Sequence, residues 1–283
     1  HHLNLDGWST NAVLYEFDVL YKSLIGNQPN TLPNLESYSR YIAWLDGIDR
    51  QKSKTYWNHY LGDYDSKAVL PFDREDVTQH TEYIPKDYEF WLSEELSNNL
   101  NAIAQKEKTT LNTIVQSAWG ILLSRYNNTQ DVVFGSVVSG RPSELKGIQE
   151  MIGIFINTVP QRIRYTANTT FSELLQSTQQ SFILGEPHHH LNLAEIQHES
   201  ELGANLIDHL VVFENYPISG QSDAPTQEVE VLNPAQTQDG EVTIEGDTVE
   251  VFEQMNYDFT LMAAPEDRLF FRMKYNGAKY SEG

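Results

Sequence analysis

The sequence of 283 residues contains no cysteine. Disulfides, thiolate metal sites and a cysteine nucleophile are therefore excluded. Basic residues are scarce: 19 Lys and Arg stand against 40 Asp and Glu, giving a formal charge of −21. A surface of that sign repels phosphate backbones and anionic lipid, so nucleic acid and membrane are poor partners. An acidic protein partner would need a local basic patch. No apolar run reaches the length of a membrane span, and no signal-peptide pattern opens the chain. Internal repeats and low-complexity tracts are also missing. The expectation is a soluble, cytoplasmic protein in which the sequons at Asn127 and Asn168 are chance matches.

What is present suffices for one large domain or two ordinary ones, since 40% of the residues are hydrophobic. Val13, Leu14, Phe17, Leu20 and Tyr21 recur at helical spacing, which predicts a helix from Trp8 to about Ile25 with Gly26 as its stop. Further helices are expected over Leu35–Trp44 and Arg50–Leu61. The polar, irregular stretch from Gly62 to Asp87 reads as a link between two structural units. Beyond it come a strand-like YEFWL, a helix through EELSNNLNAIAQ, and the clearest helix of the chain, LNTIVQSAWGILLSRY. In the last, Leu111, Ile114, Val115, Ala118, Trp119, Leu122, Leu123 and Tyr126 form a wide apolar stripe, with Thr109 or Thr110 as cap.

DVVFGSVVSG, apolar and β-branched, reads as a buried strand. A helix at FSELLQSTQQSFIL and a strand at LIDHLVVFENY follow, and the chain closes on a hairpin around a Pro-Glu-Asp turn. Such interleaving predicts mixed sheets covered by helices, an α/β (α+β) fold.

The chain opens HHLNLDGWST. Two leading histidines read either as the stub of an affinity tag or as chemistry. Neutral imidazole moves protons near neutral pH, and of two adjacent residues in extended chain one faces a cleft while the other packs. Asp6 would hold an arginine or the turn, or simply cap a helix. Gly7 lets backbone approach a substrate and offers its N–H to a developing oxyanion, reinforced by the positive end of a helix starting there.

HHLNLDGWS resembles the HHxxxDG signature of condensation domains of nonribosomal peptide synthetases. Other stretches agree in order. YSRYIAWL resembles YxDFAVW with Arg40 in place of Asp, YWNHYL matches a helix start, and IGIFINTVPQR resembles (I/V)GxFVNTxxxR. HHHLNLAEIQ resembles HQxxPxxE with Asn192 in place of proline, and VVFENYP and YDFTL are similar to family segments. Several spaced motifs in order are far more specific than one, and a tag origin for the histidines gives way.

The resemblance implies a chloramphenicol acetyltransferase-like two-layer sandwich, doubled into two subdomains with an active-site tunnel between them. Residues 1–84 would then end the N-terminal subdomain and supply the linker, and 85–283 would form a C-terminal subdomain truncated at its end. Most of the N-terminal subdomain would be missing. The implied reaction is amide-bond formation by attack of a carrier-bound aminoacyl amine on a carrier-bound acyl or peptidyl thioester. By motif match His2 serves as base or positions the amine, His1 is structural, Asp6 orients the loop through an arginine, and Gly7 contacts carbonyl or amide. Arg141, in SGRP, is the candidate support for Asp6. Trp8, Ser9, Asn157 and His190 are substrate-tunnel candidates, with core packing the plainer reading of Trp8 and a strand-end hydrogen bond that of Asn157.

No cofactor would bind directly. Phosphopantetheine would arrive on donor and acceptor peptidyl carrier proteins, beside an adenylation domain. The run His188–His190 invites a metal, but consecutive residues of an extended segment point alternately, so no metal is expected. Glu195 reads as structural. The alternatives are an inert condensation-like module that recruits a partner protein, and a coenzyme A-dependent acyltransferase of the same fold. The first usually loses the second histidine or the Asp-Gly pair. The second typically carries a distant DFGWG-like stretch, absent here.

Overall fold

A computed structural model of the chain describes residues 4–26, 29, 32, 35–71, 83–214, 241–244, 247–250 and 256–281. The chain divides into two units. One comprises residues 1–37, 150–154 and 216–256; the other comprises 38–149, 155–215 and 257–283. His1, His2, residues 72–82 of the expected link, Asn215, Tyr216 and Val251–Met255 lie outside the described residues.

In the first unit, helix α1 spans Gly7–Ile25 and gives way at Gly26, as its periodicity predicts. Its apolar residues Leu14, Phe17, Leu24 and Ile25 are exposed.

The second unit carries the remaining helices: α2 (Ser39–Asp46), α3 (Arg50–Leu61), α4 (Glu94–Lys106), α5 (Leu111–Tyr126), α6 (Phe171–Gly185) and α7 (Leu193–His198). Its strands are β1 (Pro85–Trp91), β2 (Asp131–Val138), β3 (Asn157–Arg164) and β4 (Leu210–Phe213). A short antiparallel pair of the first unit, β5 (Glu241–Ile244) and β6 (Asp247–Glu250), precedes β7 (Phe259–Pro265) and β8 (Leu269–Asn276) in the chain. One mixed sheet of six strands runs in the order β1-β8-β7-β4-β2-β3. β2–β4 and β4–β7 are parallel and the other pairs antiparallel, with β7–β8 the expected terminal hairpin.

The core lies where α5 and α6 cover the sheet. Trp119 and Leu123 of α5 and Leu174 of α6 bury themselves against Val132, Phe134, Ile163 and Val211. Gly120 allows the close approach, because a Cβ there would meet Ile163 side-chain carbons at 2.5 Å.

Three expectations need correction. The helix expected from Leu35 begins at Ser39 instead. Tyr38 makes no side-chain cap bond, and the start is set by packing of Tyr38 and Tyr41 on Phe155, with ring centroids 5.1 and 4.7 Å apart. The strand expected over 206–216 begins at Leu210, because Gly203–Asn205 form a 3₁₀ turn and Asp208 accepts the Leu70 N–H at 3.3 Å. In α5 the predicted stripe is buried only in part, at Ile114, Val115, Trp119 and Leu123. Ala118, Leu122 and Tyr126 are exposed, while Thr113, Gln116, Ser117 and Ser124 are buried. These polar side chains go inside because each has a partner: Gln116 donates to Ser136 at 2.9 Å, and Thr113 to Gln179 at 2.6 Å.

Candidate active site

In the first unit the opening motif and the Ile152 segment meet. Asp6 is buried and occupies the N-cap of α1, where its Oδ1 accepts the Ser9 N–H at 2.8 Å. Its own N–H donates to the Gly153 carbonyl at 3.3 Å. The Ser9 hydroxyl, fully buried, donates to the same carbonyl at 2.7 Å and accepts the Gly153 N–H at 3.1 Å. Two motifs 144 residues apart are thus stitched backbone to side chain. Asp6 therefore makes the cap that was its plainer sequence reading. Gly7 is half-buried at the first helical position. Its N–H has no acceptor within the helix and lies at the positive end of the helix dipole. Trp8 is half-buried beside it.

In the second unit, Arg141 follows Gly140, whose φ of +61° turns the chain out of β2. A Cβ on Gly140 would fall 1.7 Å from the Phe155 carbonyl oxygen, so only glycine fits. Arg141 is buried, donates to the Ile148 carbonyl, and lies with its guanidinium carbon 3.9 Å from the centroid of the Phe155 ring.

The three histidines lie in a turn, not in extended chain. Glu186–His188 is a 3₁₀ turn and His189 continues it. The alternation argument against a metal therefore does not apply to this segment. Among the described residues no group of three metal-ligating side chains gathers. Instead His188 Nδ1 and His190 Nε2 converge on one hydroxyl, Ser53 Oγ, at 2.9 and 3.1 Å. Tyr56 stacks on His188 at 4.3 Å, Trp57 donates its indole N–H to the His188 carbonyl at 3.2 Å, and Trp44 meets the His190 ring edge-on at 5.9 Å. Burial pushes His188 and His190 below the ordinary histidine value and lowers His189 to about 4, so the turn is neutral near pH 7.

Asn157, at the start of β3, spends its amide on this turn, donating at 2.7 Å to both the His189 and Leu191 carbonyls. Asn192 caps α7 by accepting the Glu195 N–H at 2.9 Å. Glu195 pairs with Arg50 and with Lys54, the structural role expected of it. Trp44, Arg141, Glu144, Phe182, His189 and His190 line a cavity of about 270 Å³. Sequence reasoning missed Ser53, Tyr56 and Trp57. The available signal was the spacing of Ser53, Trp57 and Leu61 along one face of α3, all three buried.

The family model described as Condensation domain matches residues 1–283. Tyrocidine synthase 2 of Brevibacillus parabrevis is 40% identical over 284 residues, covering 100% of this chain and 8% of that protein. Gramicidin S synthase 2 of Brevibacillus brevis is 38% identical over 280 residues, covering 99% of this chain and 6% of that protein. The chain thus spans less than a tenth of either relative. Among solved structures, the first condensation domain of the calcium-dependent antibiotic synthetase, in complex with a substrate analogue, has a TM-score of 0.71 at 17% identity. It covers 100% of this chain and 58% of that one.

Proposed function

The chain belongs to the condensation-domain family, and on that premise we propose that it joins two carrier-bound substrates through an amide bond within a nonribosomal peptide synthetase. The acceptor's α-amine nitrogen attacks the donor thioester carbonyl, the carbonyl oxygen takes negative charge, and collapse expels the thiol as the C–S bond breaks. The proton lost by the amine ends on the departing sulfur or in solvent. Both substrates arrive tethered to phosphopantetheine arms of carrier proteins, with an adenylation domain supplying the aminoacyl group.

Three physical tasks follow. Holding the two thioesters at attack distance supplies as much as about 7–11 kcal/mol of the barrier. His2 meets the amine, as base or as positioning group, a contribution of about 10²–10⁴-fold. Gly7 N–H, at the positive end of α1, is the candidate donor to the developing oxyanion. The observation that carries this reading is the capped start of α1. Asp6 and Ser9 are buried and tied to Gly153, which fixes the helix start at Gly7. Within the first unit Asp6 is the supporting residue and Trp8 and Ser9 are substrate-side candidates; within the second, taken by itself, Arg141 is the supporting residue and Asn157 and His190 are the candidates.

The test is the His2→Ala variant of the intact domain, assayed for dipeptide formation between two loaded carrier proteins. Product should fall by at least about a hundredfold with unchanged thermal unfolding. Wild-type turnover by that variant would remove His2 from the mechanism. An inactive wild type that still binds carrier proteins would favour the recruiting module.

A further inference from the structure

The cavity of about 270 Å³ in the second unit has a wall that hydrogen bonding leaves unfinished. His189 lines it and is only 8% exposed. Its backbone is engaged: the N–H donates to the Glu186 carbonyl at 3.2 Å, and the carbonyl accepts the Asn157 amide at 2.7 Å. Its ring meets only aromatic neighbours, Phe182 edge-on at 5.2 Å and Trp57 stacked at 6.5 Å. Among the described residues the ring nitrogens have no hydrogen-bond partner. Buried polar groups are paired as a rule, so an unpaired imidazole on a cavity wall points to a ligand group.

The charge of the lining selects that ligand. Glu144 and Glu186 line the cavity, are exposed, and pair with no Lys or Arg among the described residues. Glu144 already favours positive charge on the adjoining His190. Arg141 is the one permanent cation of the described lining, and its guanidinium is committed to the Ile148 carbonyl and the Phe155 ring. Two carboxylates against one guanidinium leave the lining net negative, in a chain of formal charge −21. Burial lowers His189 to about 4, so near pH 7 its neutral ring accepts a hydrogen bond instead of repelling a cation. Trp44 and Phe182 add aromatic walls, which suit an aliphatic stem and a positive head alike.

We propose that this cavity binds an alkylammonium group, the cationic side chain of one of the two substrates joined; the substrate assignment rests on the amide-bond function. The ammonium donates to the His189 ring within the field of Glu144 and Glu186, and its stem lies against Trp44 and Phe182. A volume of about 270 Å³ is at the small end for ligand pockets, which fits one short side chain and excludes a whole peptide.

The experiment has a binding arm and a turnover arm. In the first, histidine ring ¹⁵N NMR of the whole chain at neutral pH follows titration with n-butylammonium, n-butanol or butyrate. n-Butylammonium should shift the His189 ring nitrogens saturably, n-butanol should bind about tenfold more weakly, and butyrate should leave them unmoved. The E144Q/E186Q variant, changed only at exposed positions, should bind n-butylammonium about tenfold more weakly, the worth of two partly exposed ion pairs, with unchanged thermal unfolding. No saturable shift, equal binding of alcohol and ammonium, or full affinity in the double variant would overturn the site. In the second arm, carrier-bound lysyl and norleucyl thioesters, which share a stem and differ in charge, compete first as acceptors and then as donors. The lysyl substrate should be preferred about tenfold in one role, and E144Q/E186Q should abolish the preference. Equal use in both roles would overturn the assignment to a substrate side chain. If neither thioester reacts while n-butylammonium binds, the amide-bond function fails and the ammonium site stands.

Discussion

Gly140 shows how much one missing side chain decides. Its φ of +61° and the 1.7 Å approach of its absent Cβ to the Phe155 carbonyl leave no room for any other residue. The strained left-handed conformation alone costs an L-residue about 1–3 kcal/mol. Gly140→Ala should therefore lower the unfolding free energy measured by urea denaturation by at least that much, and displace Arg141 from the Phe155 ring. The SGRP turn was legible because glycine after an apolar run marks its end. The partner that forces the glycine, 15 residues on, was not. Asn157 shows the same limit. Its side chain reaches two carbonyls of a turn more than thirty residues away, and nothing in its local sequence points there.

At the scale of the element, α1 and α5 separate what periodicity states from what it omits. The span of α1 followed from its apolar repeat and Gly26, and Asp6 was readable as its cap. Asp6→Ala should cost about 1 kcal/mol through the lost cap. Asp6→Asn, which retains a capping oxygen, should recover most of it in the same denaturation assay. If the Asn variant is as unstable as the Ala variant, the charge of Asp6 matters more than its cap. The apolar stripe of α5 located the helix and part of its buried side, but not Gln116, Ser117 and Thr113, which find hydrogen-bond partners on β2 and α6. A polar residue is priced by its partner, and the partner belongs to another element.

For the whole molecule, the titrating groups predict a two-stage response to acid. His188, His189 and His190 are held below the ordinary value, His189 at about 4. A histidine with a lowered folded pKa binds fewer protons folded than unfolded. Its stability contribution is complete above the ordinary value of about 6.5 and is lost as pH falls toward the folded value. Asp208 is half-buried, which alone would raise it, yet His209 and Lys67 pull it down to about 2. Its contribution persists above the ordinary carboxylate range and disappears only as pH falls through about 2. Melting temperatures should therefore decline first between about pH 6.5 and 4, then again in stronger acid. A flat profile down to the carboxylate range would contradict the buried, neutral histidine turn.

The sequence by itself determined the family, most helix spans, the terminal hairpin and the helical cap at Asp6, because these rest on residues close together in the chain or on motifs in fixed order. The tertiary structure decided which polar residues of α5 are buried, where α2 and β4 begin, and that Ser53 joins two histidines 135 and 137 residues away. Hydrogen bonding and burial are settled between elements. A residue's spacing fixes its direction on its own helix or strand, but not the group that meets it there.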